Sequence, residues 1–420
     1  MMQLIKQNKF LYSLLFLIFL TSSFDIVLNI EIGGLNFRLC QLFIIILMLY
    51  VLILIIKKRQ IVFHKNMSWL FLWMFITLLF TFNTEVISFN ISYHLWMIFN
   101  VLFVFLFYQL HDLEQHVLLS LYIDSFVIMA TVGIIQFILG VLGIQLSTIT
   151  QWWIQGVLPR INGFSYEPSY YSTYMILGWG MCFYFMNFSK ENLNLKMIFN
   201  LSVKNVYWLL TLAIILSSSR MAIIFIVCIE IFIKLIYPFK NKKIVKATLK
   251  KMFLFLLLFL LLILIIVFIN KYVYDLEFLL AGLGINGGTA HSKMERINKL
   301  ETTLEIFKNH YLFGTGLGGV NVETAKFNGL NPFMVDLSTI TSINVTAELL
   351  LASGLIGFIC FVVYIFKVFK LYNRADRYTK ALLIGFAFII FMLQMNQNIL
   401  RPYFWIHLAL IIYNEKNIIE

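Results

Sequence analysis

Four arginines stand apart from the other basic residues of this sequence. Arg160, Arg220 and Arg401 each lie at the edge of a long apolar run, and Arg296 lies in a long polar stretch. A guanidinium keeps its charge and meets phosphate oxygens through two parallel N–H groups, so four on one side suit a pyrophosphate. No lysine takes any of the three run-edge positions, which favours planar recognition over simple charge. Arginine near a bilayer core costs roughly 2.5–3.5 kcal/mol, so Arg220 in Ser217-Ser218-Ser219-Arg220 must face protein or a watery cavity. Either Glu348 or an anionic ligand can satisfy it.

Around these cations lie groups of less settled purpose. Glu167 follows Arg160 in Arg160-Ile161-Asn162-Gly163-Phe164-Ser165-Tyr166-Glu167-Pro168-Ser169. A snorkelling arginine and an acid on a helix dipole would explain that pair without any chemistry. Gly316 and Gly318 belong to a cluster from Gly314 to Gly319, which is either a turn or a nest of N–H groups for an anion. No Lys-Ser or Lys-Thr follows it, so it is not a nucleotide loop. His291 and His310 are the histidines of the polar stretch, each a base or a solvated side chain.

The elements that must position these residues are membrane helices. The 420 residues are 61% hydrophobic and only 12% charged, with a mean hydropathy of +0.89. Soluble domains carry about a quarter charged residues, and apolar runs near 20 residues are long enough to span a bilayer. The expected fold is all-α and polytopic, with about 12 transmembrane helices. Spans are expected near 10–30, 39–56, 67–83, 92–110, 117–144, 170–188, 205–218, 221–237, 252–270, 343–366, 380–397 and 402–414. This divides the chain into a bundle of nine spans (1–270), one large extracytoplasmic loop with short helices (271–342) and three last spans (343–420).

The net charge of +12 reflects topology rather than nucleic acid. About two-thirds of the Lys and Arg fall in loops on one side, which places both termini in the cytoplasm. The large loop holds six basic and seven acidic residues, as suits a folded cap. Within it, Ser292 is the expected N-cap of a helix whose apolar stripe is Met294, Ile297, Leu300, Leu304 and Phe307. The four cysteines show neither metal spacing nor a disulfide framework. No cofactor or metal is expected.

Taken in order, these motifs resemble a known family. Arg160-x-x-Gly163-x-x-x-Glu167-Pro168-Ser169, Ser217-x-Ser219-Arg220, Arg296 and Phe313-Gly314-x-Gly316-x-Gly318 are similar to bacterial O-antigen polymerases of the Wzy type and the related O-antigen ligases. So is Asn344 ahead of Ser353-Gly354-Leu355-Ile356-Gly357. The resemblance covers about 145–360. It implies a glycosyltransferase of the bacterial cytoplasmic membrane that transfers glycan from undecaprenyl pyrophosphate to an acceptor repeat unit at the outer face, with inversion and without metal. It implies catalytic Arg220, Arg296 and Glu167, with substrate bound by Arg160, Arg401, Asn344, Gly316 and Gly318. Membrane lipid and a chain-length regulator are the implied partners. Where relatives carry His-Asn, this chain has Ile343-Asn344, which removes the usual base and favours a polymerase over a ligase. A flippase or other transporter is the reading from another class, but it would carry charges at mid-span and short loops throughout.

Overall fold

The computed structural model describes residues 8–32, 35–111, 113–144, 146–154, 158–189, 199–236, 288–340, 344–395 and 399–419. The expected span at 252–270, Ile343 and the start of the large loop lie outside the described residues. Among those described, thirteen α-helices and two short hairpins make up the regular structure. Runs rich in Leu, Ile, Phe and Val build α1 (Lys9–Thr21), α2 (Leu39–Lys58), α3 (Met67–Leu79), α4 (Ile87–Tyr108) and α5 (Gln115–Val141). Beyond them come α6 (Pro168–Phe188), α7 (Val203–Leu216) and α8 (Arg220–Ile236). A polar cap holds α9 (Gly288–Asn309) and α10 (Gly319–Phe327), and α11 (Val345–Lys370), α12 (Arg377–Met392) and α13 (Pro402–Ile419) complete the order.

Four helices, α2, α4, α5 and α11, are long and apolar enough to cross a membrane, and α1, α3 and α7 are shorter apolar helices. The expectation of twelve membrane-length spans is therefore met only in part. The expected first span at 10–30 stops at Thr21, where Ser22 and Asp25 begin to take polar partners and a hairpin forms. That hairpin pairs β1 (Ile30–Ile32) with β2 (Leu35–Phe37). Helix α6 has the length, but its Ser, Thr and Tyr content lowers its hydropathy. Apolar runs do not each become a span when neighbours bury them. Trp179, Tyr174 and Phe386 are fully buried between helices. Gly180 of α6 and Gly385 of α12 bring two backbones together, since a Cβ on Gly180 would meet Gly385 Cα at 2.9 Å.

Helix ends gather at two poles. At one, Leu113 N–H donates to the Tyr413 hydroxyl, and His64 meets Glu415 at 2.5 Å. At the other, Asp25 bonds Arg401, Ile161 N–H donates to Leu216 O, and Val345 N–H donates to Leu393 O. The candidate site lies at this second pole.

The cap does not float above the bundle. Helix α11 is broken at Gly354, which adopts φ 60° and ψ −177°. The break frees the carbonyls of Leu351 and Ala352 and the N–H groups of Leu355 and Ile356. The cap supplies all four partners. Thr315 and Gly316 donate to Leu351 O and Ala352 O at 3.0 and 2.9 Å, while Tyr311 O and Leu312 O accept from Leu355 and Ile356. A broken helix inside a bundle is tolerated where protein re-satisfies its backbone in this way.

One expectation for the cap needs correcting. Helix α9 begins at Gly288 rather than at Ser292, so Ser292 lies inside it. Its apolar stripe is not a buried seam, because Met294, Ile297, Leu300 and Leu304 are exposed while Thr303 and Ile306 are buried. The helix rests on α10 and α11 by a different edge.

Candidate functional site

The loop 158–170 is the spine of the site. Its start, β4 (Leu158–Arg160), pairs antiparallel with β3 (Gln151–Ile154). Gly163 is clamped by Gln136 of α5, whose side-chain oxygen accepts from Gly163 N–H at 2.9 Å and whose amide donates to Gly163 O at 2.7 Å. Asn162 donates to Thr148 O and Ser165 O, closing the turn on itself. Ser165 Oγ reaches Ser23 O at 3.0 Å, and Tyr166 N–H donates to Asp25 Oδ2 at 3.1 Å. A loop so thoroughly hydrogen-bonded holds its charged ends in fixed places.

At the first end, Arg160 spends its guanidinium on the neighbouring helix. Nε and Nη2 donate to Ser217 O and Ser218 O at 3.3 and 3.2 Å, and Nη1 donates to Gln151 Oε1 at 2.8 Å. These carbonyls close the C-terminus of α7, where a cation is favoured by the helix dipole. Burial and the nearby charge of Arg220 lower the Arg160 pKa from its ordinary value, and Glu167 opposes that effect. Arg160, Arg220 and Glu167 therefore share one electrostatic neighbourhood. Arg160 holds the turn from which Arg220 projects. Ser218 in that turn has φ 52°, a left-handed value uncommon for serine.

Arg220 is the first residue of α8, exposed, and without a hydrogen bond or ion pair among the described residues. No acidic residue stands in the first turn of α8. A cation at a helix N-terminus opposes the macrodipole by about 0.3–1 kcal/mol, whereas an anion there is stabilised. The arrangement therefore favours an arriving anion. Glu167 stands at the N-cap position of α6 without a side-chain capping bond, accepts from Ser169 Oγ at 3.0 Å and remains partly exposed.

At the other end of the loop, Arg401 is buried against Asp25 and lies 4.0 Å over the Tyr170 ring. Arg38, ahead of α2, shares Asp25 with it at 2.9 Å. The adjacent carboxylate holds Arg401 above its usual pKa despite burial, whereas burial and Arg401 lower Arg38. Asp25, Arg38 and Gln136 carry no motif, and sequence reasoning missed them. Their signal was only a charge or an amide inside an apolar stretch, which in a membrane chain marks a partner to be found.

The remaining expected residues fall elsewhere. Asn344 caps α11, its Oδ1 accepting from Ala347 N–H at 2.9 Å while its amide donates to Gln394 O at 3.0 Å. Gly316 and Gly318 spend their N–H groups on Ala352 O and Asn90 Oδ1, at 2.9 Å each, so they pin the cap to α4 and α11 rather than offering a nest. Arg296 is partly buried on α9, with no hydrogen bond or ion pair to the 158–170 loop among the described residues. Glu348, one turn into α11, has Oε2 buried without a hydrogen-bond partner. It faces the Tyr93 hydroxyl electrostatically, and Asn321 of α10 donates to that hydroxyl at 3.3 Å.

The role of Arg160 can be separated from simple charge. Arg160→Lys keeps the cation but cannot reach two carbonyls and Gln151 at once. Buried carbonyls left unsatisfied cost about 1–3 kcal/mol. A lower melting temperature in detergent is expected, and an unchanged one would remove Arg160 from this supporting role.

Helices of membrane length and a cap threaded into a broken helix together define a helical membrane protein, and its cationic pole is the candidate site. Over residues 206–362 the chain matches the family model described as O-antigen ligase. The matched segment contains Arg220, the cap, Asn344 and Gly354, while Arg160, Glu167 and Arg401 lie outside it. No curated protein matches the chain.

Proposed function

We propose that the chain is a polysaccharide repeat-unit polymerase of the bacterial cytoplasmic membrane, with about 12 spans and both termini in the cytoplasm. It transfers glycan from undecaprenyl pyrophosphate to the hydroxyl of an acceptor repeat unit at the outer face. The observation that carries this reading is Arg220, an exposed guanidinium at a helix N-terminus with no hydrogen bond or ion pair among the described residues, in the electrostatic neighbourhood of Arg160 and Glu167. The match of residues 206–362 to the O-antigen ligase family model supports the reaction class.

In this reaction the acceptor oxygen attacks the anomeric carbon as the bond from that carbon to the phosphate oxygen breaks. The configuration inverts, undecaprenyl pyrophosphate leaves, and the acceptor proton passes to Glu167. Pyrophosphate is already a good leaving group, so the protein's work is to orient the acceptor and neutralise developing charge. Arg220 meets that charge, and Arg160 and Arg401 fix the walls around it. A chain-length regulator would act on this complex from outside.

A second reading, transfer of a finished glycan to another acceptor, is favoured by the description of the matched family model as a ligase. Purified protein with lipid-linked repeat units in detergent decides between the two. A ladder of longer lipid-linked products supports the polymerase. Transfer only to an added lipid acceptor supports the ligase. Absence of any new glycosidic bond in either mixture sinks both.

A further inference from the structure

The cap contains a groove of about 410 Å³ between α9, α10 and the turn after α10. That volume lies within the range of about 300–1,000 Å³ usual for small-molecule sites. Its lining is unlike the cationic pole. Asn298, Thr302, Thr324, Asn328 and Thr339 supply amides and hydroxyls. The lining charges, Glu295 and Lys299, neutralise each other at 2.8 Å. The groove therefore carries no net charge and mixes amides and hydroxyls with a larger share of apolar surface, which suits neither a diphosphate nor an anionic headgroup.

Its hydrogen-bonding capacity is specific. Thr324 and Thr339 donate their hydroxyl protons to Val320 O and Asp336 O, both at 2.7 Å, so their oxygens are left to accept. Asn298 and Asn328 make no side-chain hydrogen bond among the described residues, and each offers two donors and an acceptor. Such a mixture matches a ligand whose every substituent is both donor and acceptor. Met294 and Ile340 add apolar wall for a ring face. Rows of sugar hydroxyls on a pyranose ring have this character.

We propose that this groove is a glycan subsite, binding the uncharged sugars of the repeat unit through hydroxyl contacts. The inference rests on the glycan-transfer reading and adds a division of labour to it. The pole at Arg220 recognises diphosphate, and the cap recognises sugar.

The test uses the full-length protein in detergent and two probes. One is the water-soluble repeat-unit oligosaccharide, released by mild acid from the lipid carrier of the cells that make this chain. The other is undecaprenyl pyrophosphate. Asn298 and Asn328 are exposed, so the double variant Asn298→Ala/Asn328→Ala leaves the fold intact. It should weaken oligosaccharide binding by about tenfold or more and leave undecaprenyl pyrophosphate binding unchanged. Arg220→Ala should do the reverse. Wild-type oligosaccharide affinity in the double variant, equal loss of both probes, or no oligosaccharide binding by the wild type would each overturn the groove. If the wild type binds the oligosaccharide through Asn298 and Asn328 but forms no new glycosidic bond, the transfer reading falls and the groove stands.

Discussion

Arg220→Ala is expected to lower glycan transfer by about 10²–10³-fold, the usual cost of removing one group that stabilises developing negative charge. The folded protein should survive the change. Arg220 is exposed and makes no hydrogen bond or ion pair among the described residues. Removing a cation from the first residue of α8 also relieves its conflict with the helix dipole. Loss of activity at unchanged thermal stability is thus the signature of a substrate-facing role. In cells, lipid-linked single units should accumulate while polymer disappears. Arg220→Lys keeps the charge but not the two-pronged geometry, and should recover only part of the rate. Normal product length with Arg220→Ala would remove the central support of the proposed function.

The contrast with Arg160 is instructive. Both arginines read alike in sequence, as isolated cations at the edges of apolar runs. Their surroundings divide them: three donors of Arg160 are engaged by Gln151 and the Ser217–Ser218 turn, and those of Arg220 are free among the described residues. Spacing can place a guanidinium at a membrane boundary because charge is excluded from the core. It cannot say which carbonyls curl back to meet it, since those lie 57 and 58 residues away along the chain.

The helical class and the edge positions of Arg160, Arg220 and Arg401 were legible for the same reason. Apolar run length and rare charges are local properties, and the bilayer imposes them directly. What depended on distant pairing was not legible. Asp25 read as the tail of a first span, but Arg38 and Arg401 draw it out into a shared ion pair. The glycine cluster read as a turn or a nest. The N–H groups of Thr315 and Gly316 are instead committed to the helix broken at Gly354, and that of Gly318 to Asn90 of α4. The α9 stripe was legible as an apolar face, but a helical apolar period reports that a face exists and not what it meets.

Gly354→Ala is expected to be the most damaging single change to the fold. At φ 60° and ψ −177° an L-residue pays about 1–3 kcal/mol of backbone strain. A Cβ there would also meet Leu312 O at 2.3 Å and Phe313 N at 2.4 Å, both of them backbone atoms that cannot rotate away. Relief of that clash must pull the cap from α11, which abandons the exchange at Leu351, Ala352, Leu355 and Ile356. Each buried backbone group so orphaned adds about 1–3 kcal/mol. A total loss of several kcal/mol would consume much of a marginal stability of about 5–15 kcal/mol. Proteolysis should therefore cut the cap readily in this variant and spare it in the wild type, with transfer lost in proportion. A cap equally resistant in Gly354→Ala would show that the seam between cap and broken helix is not what anchors it. Because Gly314 approaches Gly354 N within 2.5 Å of where its own Cβ would stand, Gly314→Ala should reproduce the same cleavage pattern. Two substitutions 40 residues apart in sequence would then report one joint, which is the joint that fixes the cap against the helix starting at Asn344.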